Sequence, residues 1–224
     1  MQIDNLNKNT DYEHVVYANC NNTEFFSKST VIQGNAKSTG QKAHIEGLNS
    51  LIKYFKSQKK FEYYLLLDSD CFPIKKWTKK LIYELDKHNY DVAAPVRYEN
   101  LNTFAHPCAF FFKKDILSNL YFDIMSFDEY LGKYEEVASN IKNFYPLIRT
   151  NKINYHPILF GIYNDMFYHH GAGSRTLRFR AIDDFKYYQK NDIEKFEKNF
   201  FNKLINNSKK EIQKLTDLRR ILYV

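Results

Sequence analysis

The stretch Phe61 to Leu67 (FEYYLLL) constrains the fold of this chain more than any other feature. It is a run of bulky apolar residues broken only by Glu62, and it ends abruptly at Asp68-Ser69-Asp70, with Pro73 close behind. A strand that faces water on one side alternates apolar and polar residues, whereas a near-continuous apolar run belongs to a strand covered on both faces. Covering both faces of one sheet requires a layer of helices on each side, so the run implies an α/β sandwich.

The flanking segments fit such a sandwich. His14 to Ala18 (HVVYA) and Thr30 to Gln33 (TVIQ) read as short strands, closed by the turn-prone clusters Asn19-Cys20-Asn21-Asn22 and Gly34-Asn35. Ala43, Leu48, Leu51, Ile52 and Phe55 recur at helical spacing, which predicts a helix starting just after Gly40. Trp77 to Lys87 reads as a short amphipathic helix, with strands at Asp91 to Val96 and Ala109 to Phe112. Asp115 to Leu120 and Glu135 to Ile141 read as helical pieces with Asp128-Glu129 in the loop between them; Asn154 to Phe160 and Tyr163 to Tyr168 read as extended. From Asn191 to Val224 the pattern becomes helical and basic. The expectation is a mixed, mainly parallel sheet flanked by helices in one domain, residues 1–190, followed by an amphipathic tail, residues 191–224.

Composition narrows the partners. The 224 residues carry 33 Lys and Arg against 26 Asp and Glu, a formal charge of +7 that favours an anionic ligand or surface. The basic residues are spread out and become dense only after Lys186, with no recognisable nucleic-acid module, so nucleic-acid binding is not expected. Cys20, Cys71 and Cys108 are too few and scattered for a disulfide framework or a zinc knuckle, and read as reduced thiols of a cytoplasmic protein. Cys71 and Cys108 read as small core residues. No apolar run reaches bilayer-spanning length, and the polar segment Met1 to Thr10 lacks a signal-peptide pattern.

The chemistry concentrates in two places. Asp68 and Asp70 follow a buried strand, and in open α/β sheets ligands bind at the carboxyl ends of strands. Paired carboxylates there suit a hard divalent ion, Mg²⁺ or Mn²⁺, of the kind that bridges to substrate phosphates, although an acidic pair can also simply close a strand as a turn. The second place is His169-His170-Gly171-Ala172-Gly173-Ser174-Arg175. An imidazole can join carboxylates around Mn²⁺, the Gly171 to Ser174 backbone can turn N–H groups towards a phosphate, and Arg175 offers a fork for diphosphate oxygens. The competing reading is a plain turn with two exposed histidines; of the two, His170, next to the glycine, is the favoured ligand. Gln41 and Lys42 open a helix, where they could hold an anionic or ribosyl group or form an ordinary polar first turn. Arg97 and His106 follow strands and could line a ligand cleft, although a satisfied histidine in a strand-end turn is the more ordinary reading of His106.

LLLDSDCFPI resembles the "lDsD-x-x-P" signature of GT-A-fold glycosyltransferases, especially the large inverting family that uses nucleotide-diphospho-sugars. VVYANCNNTEFF resembles that family's "vvvDNgStD" strand, with Asn19 and Asn21 in place of the usual acid. VIQGNAKSTGQKAHIEGLNSL resembles its nucleotide-wrapping segment. FDEYLGKYEEVASNI resembles the block that carries the catalytic base, with Glu136 where the family has Asp, and FYHHGAGSR resembles its closing loop. The likeness runs over about residues 14 to 180 in the family's own order. Only Met1 to Glu13 precede HVVYA, so either that strand opens a compact variant or the family's first strand-helix unit is missing.

The resemblance implies a metal-dependent transferase moving a sugar from a nucleotide-diphospho-sugar, a UDP-sugar by preference, to a glycan or lipid-linked acceptor with inversion. Asn19, Gln41, Lys42, Asp68 and Ser69 would hold the nucleotide, with Gly171, Gly173, Ser174 and Arg175 around the diphosphate. Asp68, Asp70 and His169 or His170 would hold Mn²⁺ or Mg²⁺. Glu136 would be the base, with Glu135 and Asp128 in reserve; a Glu pair at a helix start is equally explained by the helix dipole. A nucleotidyltransferase would want a Gly-rich, basic phosphate loop near the first strand, which is absent; a non-catalytic sugar- or membrane-binding module is the other alternative. The basic amphipathic tail could lie on an anionic membrane, but burying its apolar stripe on this domain or on a partner is the more ordinary outcome.

Overall fold

The computed structural model of the chain describes residues 12–19, 29–35, 37, 39–97, 103–128, 133–138, 140–150 and 161–169. The expected strand Asn154 to Phe160, His170, the 171–175 loop and the tail 191–224 lie outside the described residues.

Strands β1 (Val15–Ala18) and β2 (Thr30–Gln33) pair in parallel, and helix α1 (Gly40–Gln58) follows. The apolar run forms β3 (Tyr63–Leu67); after the Asp68 to Asp70 turn the chain forms β4 (Cys71–Pro73) and then helix α2 (Thr78–His88). Strands β5 (Val92–Pro95) and β6 (Ala109–Lys113) come next, then a 3₁₀ turn over Lys114–Ser118. The remaining strands are β7 (Phe122–Asp128), β8 (Lys133–Ala138), β9 (Tyr145–Leu147), β10 (Gly161–Tyr163) and β11 (Phe167–His169).

The central sheet has the order β3-β6-β5-β9. Its two faces carry separate apolar clusters. On one, Leu48 and Ile52 of α1 pack with Tyr64, Leu66, Phe110 and Phe112; on the other, Trp77 and, from α2, Leu81 and Leu85 pack with Ala93 and Phe111 while Tyr63, Leu65 and Leu67 lean against them. Alternate residues of β3 therefore serve opposite layers, which is why the strand carries bulky side chains at nearly every position. Phe110 is fully buried against Phe112 and Phe122. Phe110→Ala is expected to cost about 3–5 kcal/mol, read from the shift of a denaturant midpoint.

The α/β class holds, but the strand directions correct the mainly parallel sheet. Of the seven pairings among the described residues, only β1 with β2 and β5 with β9 are parallel. A crossover helix returns a strand parallel to its predecessor. Here β6 runs antiparallel to both β5 and β3.

Two further expectations are corrected. Glu135 to Ile141 is not helical: Glu135 and Glu136 lie in β8, because Phe122 to Asp128 forms the strand that pairs with it, which also moves Asp128 from the expected loop to a strand end. Tertiary pairing has overridden the helix propensity of the Glu pair. Tyr163 to Tyr168 is not continuously extended either. Asn164 and Asp165 adopt positive φ (47° and 56°) and fold it into a hairpin of β10 with β11; these two residue types tolerate that region best after glycine. Gly47 of α1 allows the ring of Tyr17 to lie against the helix, since a Cβ there would sit 2.9 Å from Tyr17 Cδ1. No helix among the described residues is long and apolar enough to cross a membrane.

Candidate functional site

The acids after β3 are presented by a tight turn. The Cys71 amide donates to the Asp68 carbonyl (2.9 Å), and the Asp68 amide donates to the Cys108 carbonyl (3.1 Å), tying the turn to the sheet. Ser69 points out and is exposed, while Asp68 and Asp70 are largely covered. The third group arrives from far along the chain. β11 pairs antiparallel with β4 and sets His169 opposite Cys71, so a backbone ladder delivers the imidazole to the turn. His169 Nε2 lies 3.4 Å from Asp70 Oδ1 and 3.6 Å from Asp68 Oδ2. One donor atom from each of the three lies within 4.8 Å of the others. Two carboxylates and an imidazole with convergent donor atoms are a fitting set for Mn²⁺ or Mg²⁺.

Below this group lie Cys71 and Cys108, both fully buried, with burial pushing the Cys71 thiol up. His106 stands beside them with its ring 6.0 Å from that of His169. Its Nδ1 accepts the Cys108 amide (3.2 Å). Its Nε2 lies 3.1 Å from Arg97 Nη1 and 3.8 Å from Glu135 Oε2.

On the opposite side stands His44, a residue the sequence reading passed over. It lies one turn into α1, beyond Gln41 and Lys42, and it touches two acids at once. Its Nε2 is 2.9 Å from Asp68 Oδ1 and its Nδ1 is 3.3 Å from Glu136 Oε1. Burial alone would depress its pKa, but the hydrogen bonds and charges of Asp68 and Glu136 outweigh burial and raise it to about 10. Glu136 feels the reverse: burial pushes its pKa up, yet the His44 hydrogen bond and charge bring it below the ordinary carboxylate value. The position of His44 one turn into α1, next to Ala43 and four residues from Leu48, was the one sequence signal.

The sign of the His44 shift fixes a pH dependence. A proton bound more tightly in the folded chain than in the unfolded one stabilises the fold fully below the unfolded value of 6.5, and that contribution is lost as pH rises towards about 10. In metal-free protein, the gap in unfolding free energy between the wild type and His44→Ala is expected to shrink between pH 7 and pH 10.

The other predicted residues are more scattered. Gln41 and Lys42 lie in the first turn of α1 and Asn19 directly follows β1. Asp128 ends β7 opposite Lys133, three positions along β8 from Glu136 and beyond a register shift in the hairpin. Gly171, Gly173, Ser174, Arg175 and His170 lie outside the described residues.

Residues 35–120, which include α1, β3, the acidic turn and β6, match the family described as Glycosyl transferase family 2. No curated protein and no solved structure matches the chain.

Proposed function

We propose that this chain is a GT-A-type glycosyltransferase that uses a divalent cation to transfer a sugar from a nucleotide-diphospho-sugar to a hydroxyl of a glycan or lipid-linked acceptor, a reading supported by the match of residues 35–120 to Glycosyl transferase family 2. The observation that carries the metal assignment is the convergence of Asp68, Asp70 and His169 at the carboxyl end of β3, within reach of the matched segment. Those three residues would hold Mn²⁺ or Mg²⁺; when bound, such an ion supplies Lewis-acid neutralisation of charge on a diphosphate leaving group.

The chain's own residues do the rest. Gln41, Lys42, Asn19 and Ser69 are assigned to the nucleotide, and Gly171, Gly173, Ser174 and Arg175 to the diphosphate. Glu136 is the assigned base: its carboxylate takes the proton of the acceptor hydroxyl as that oxygen bonds to the anomeric carbon, while the bond to the diphosphate oxygen breaks and its electron pair leaves with the diphosphate. Attack from the face opposite the leaving group inverts the anomeric centre. His169 is preferred over His170 as the third ligand on the distances above. The same reading takes 1–190 as the transferase domain and a UDP-sugar as donor. The basic 191–224 segment is taken as packed on that domain or on a partner, with peripheral contact to an anionic membrane as the second possibility.

The test is donor hydrolysis by the full chain, with Mn²⁺ and a panel of nucleotide sugars. Release of nucleoside diphosphate from one donor, reduced at least about tenfold by a chelator and restored by excess Mn²⁺, is the expected result. Sugar-nucleotide binding that ignores the chelator, with no turnover, would favour a non-catalytic module; release of pyrophosphate from a nucleoside triphosphate would favour a nucleotidyltransferase.

A further inference from the structure

We propose that His44 is a positioning residue that braces the acceptor-side acid Glu136 against the donor-side acid Asp68; the catalytic part of this inference rests on the reading above. The imidazole is rigid and planar, and each ring nitrogen is engaged by a different carboxylate, at 2.9 Å and 3.3 Å. It therefore sets both the separation and the relative orientation of the two acids. The division of Asp68 supports the role: Oδ1 meets His44 while Oδ2 turns towards His169, so one carboxylate joins the brace to the proposed cation site. His44 is rooted in α1, whose Leu48 and Ile52 are locked into the core, so the brace is anchored in a rigid element. Glu136, by contrast, lies on the two-stranded β7–β8 sheet, whose Ile124 and Met125 are exposed. A base held within a narrow range of orientation is what proton transfer from an acceptor hydroxyl requires.

A brace of this kind acts through Glu136, which separates it from a residue that only stabilises the fold. In the full chain, with the donor found by the hydrolysis panel, His44→Gln and His44→Ala are expected to lower transfer kcat roughly 10–100-fold while donor KM moves less than about threefold. Glu136→Gln combined with His44→Ala should be no slower than the slower single variant, since both remove one function. Losses that multiply, or His44 variants with unchanged kcat, would overturn the proposal. Mn²⁺ alone, titrated by electron paramagnetic resonance, should bind the His44 variants within about threefold of wild type, because the three proposed donors remain; a matching collapse of Mn²⁺ affinity would instead make His44 part of the cation site.

A second measurement does not depend on any donor. Nuclear magnetic resonance of labelled histidine in the full chain should find two His44 ring protons shielded from solvent exchange, the Nδ1 proton lost in Glu136→Ala and the Nε2 proton lost in Asp68→Ala. Ring protons that exchange freely in the intact chain would overturn the brace even if the enzyme is active. Shielded protons in a chain that turns over no donor would leave the brace standing and sink the transferase reading.

Discussion

Asp70→Asn is expected to remove Mn²⁺-supported turnover almost completely, by at least about 100-fold, while the fold persists. The substitution keeps the volume of the side chain and an oxygen in place but removes one anionic charge from a set that has two carboxylates and one imidazole. The Asp70 side chain is 22% exposed at the end of a turn, so the change in unfolding free energy should stay within about 1 kcal/mol. The measurement is donor hydrolysis across a Mn²⁺ series alongside a denaturant melt. Near-normal turnover at low Mn²⁺ would mean that the acids after β3 hold no cation that matters for the reaction.

Glu136→Gln is the second large effect. Glutamine fills the same space and still meets His44, but it cannot take a proton. Transfer to acceptor should fall by about 10²–10⁴-fold, whereas binding of nucleoside diphosphate with Mn²⁺ should be little altered. Equal losses in both would remove Glu136 from the base role. Glu135→Gln is the informative companion: its carboxylate is less covered and lies beside His106 rather than His44. If the large loss follows Glu135 instead, the proton goes to the acid on the His106 side of the cleft.

The parts of the fold most legible in the sequence were those with one-dimensional signatures. The doubly covered strand ending at Asp68, helix α1 after Gly40 and the helix after Trp77 all carry their burial pattern within a single window of sequence. What escaped depends on partners distant in the chain. Nothing in Phe122 to Asp128 alone announces a strand, because its pairing with Lys133–Ala138 is what makes it one, and the same pairing turned an apparent helix start into β8. The three-residue strand β4 is likewise defined by its partner β11 rather than by its own residues. In the site, the acids and the histidine pair stood out by residue type and spacing. His44 did not, since a lone histidine in an amphipathic helix is unremarkable until the fold brings Asp68 and Glu136 to its two nitrogens.

The pairing of β4 with β11 has a consequence for biosynthesis. It joins segments roughly a hundred positions apart, and closing so long a loop is entropically unfavourable and therefore comes late in folding. A chain emerging from the ribosome carries both aspartates well before the imidazole, which reaches them only when β11 pairs with β4. The three side chains whose donor atoms converge are therefore assembled by tertiary pairing rather than by the local turn that carries the two acids.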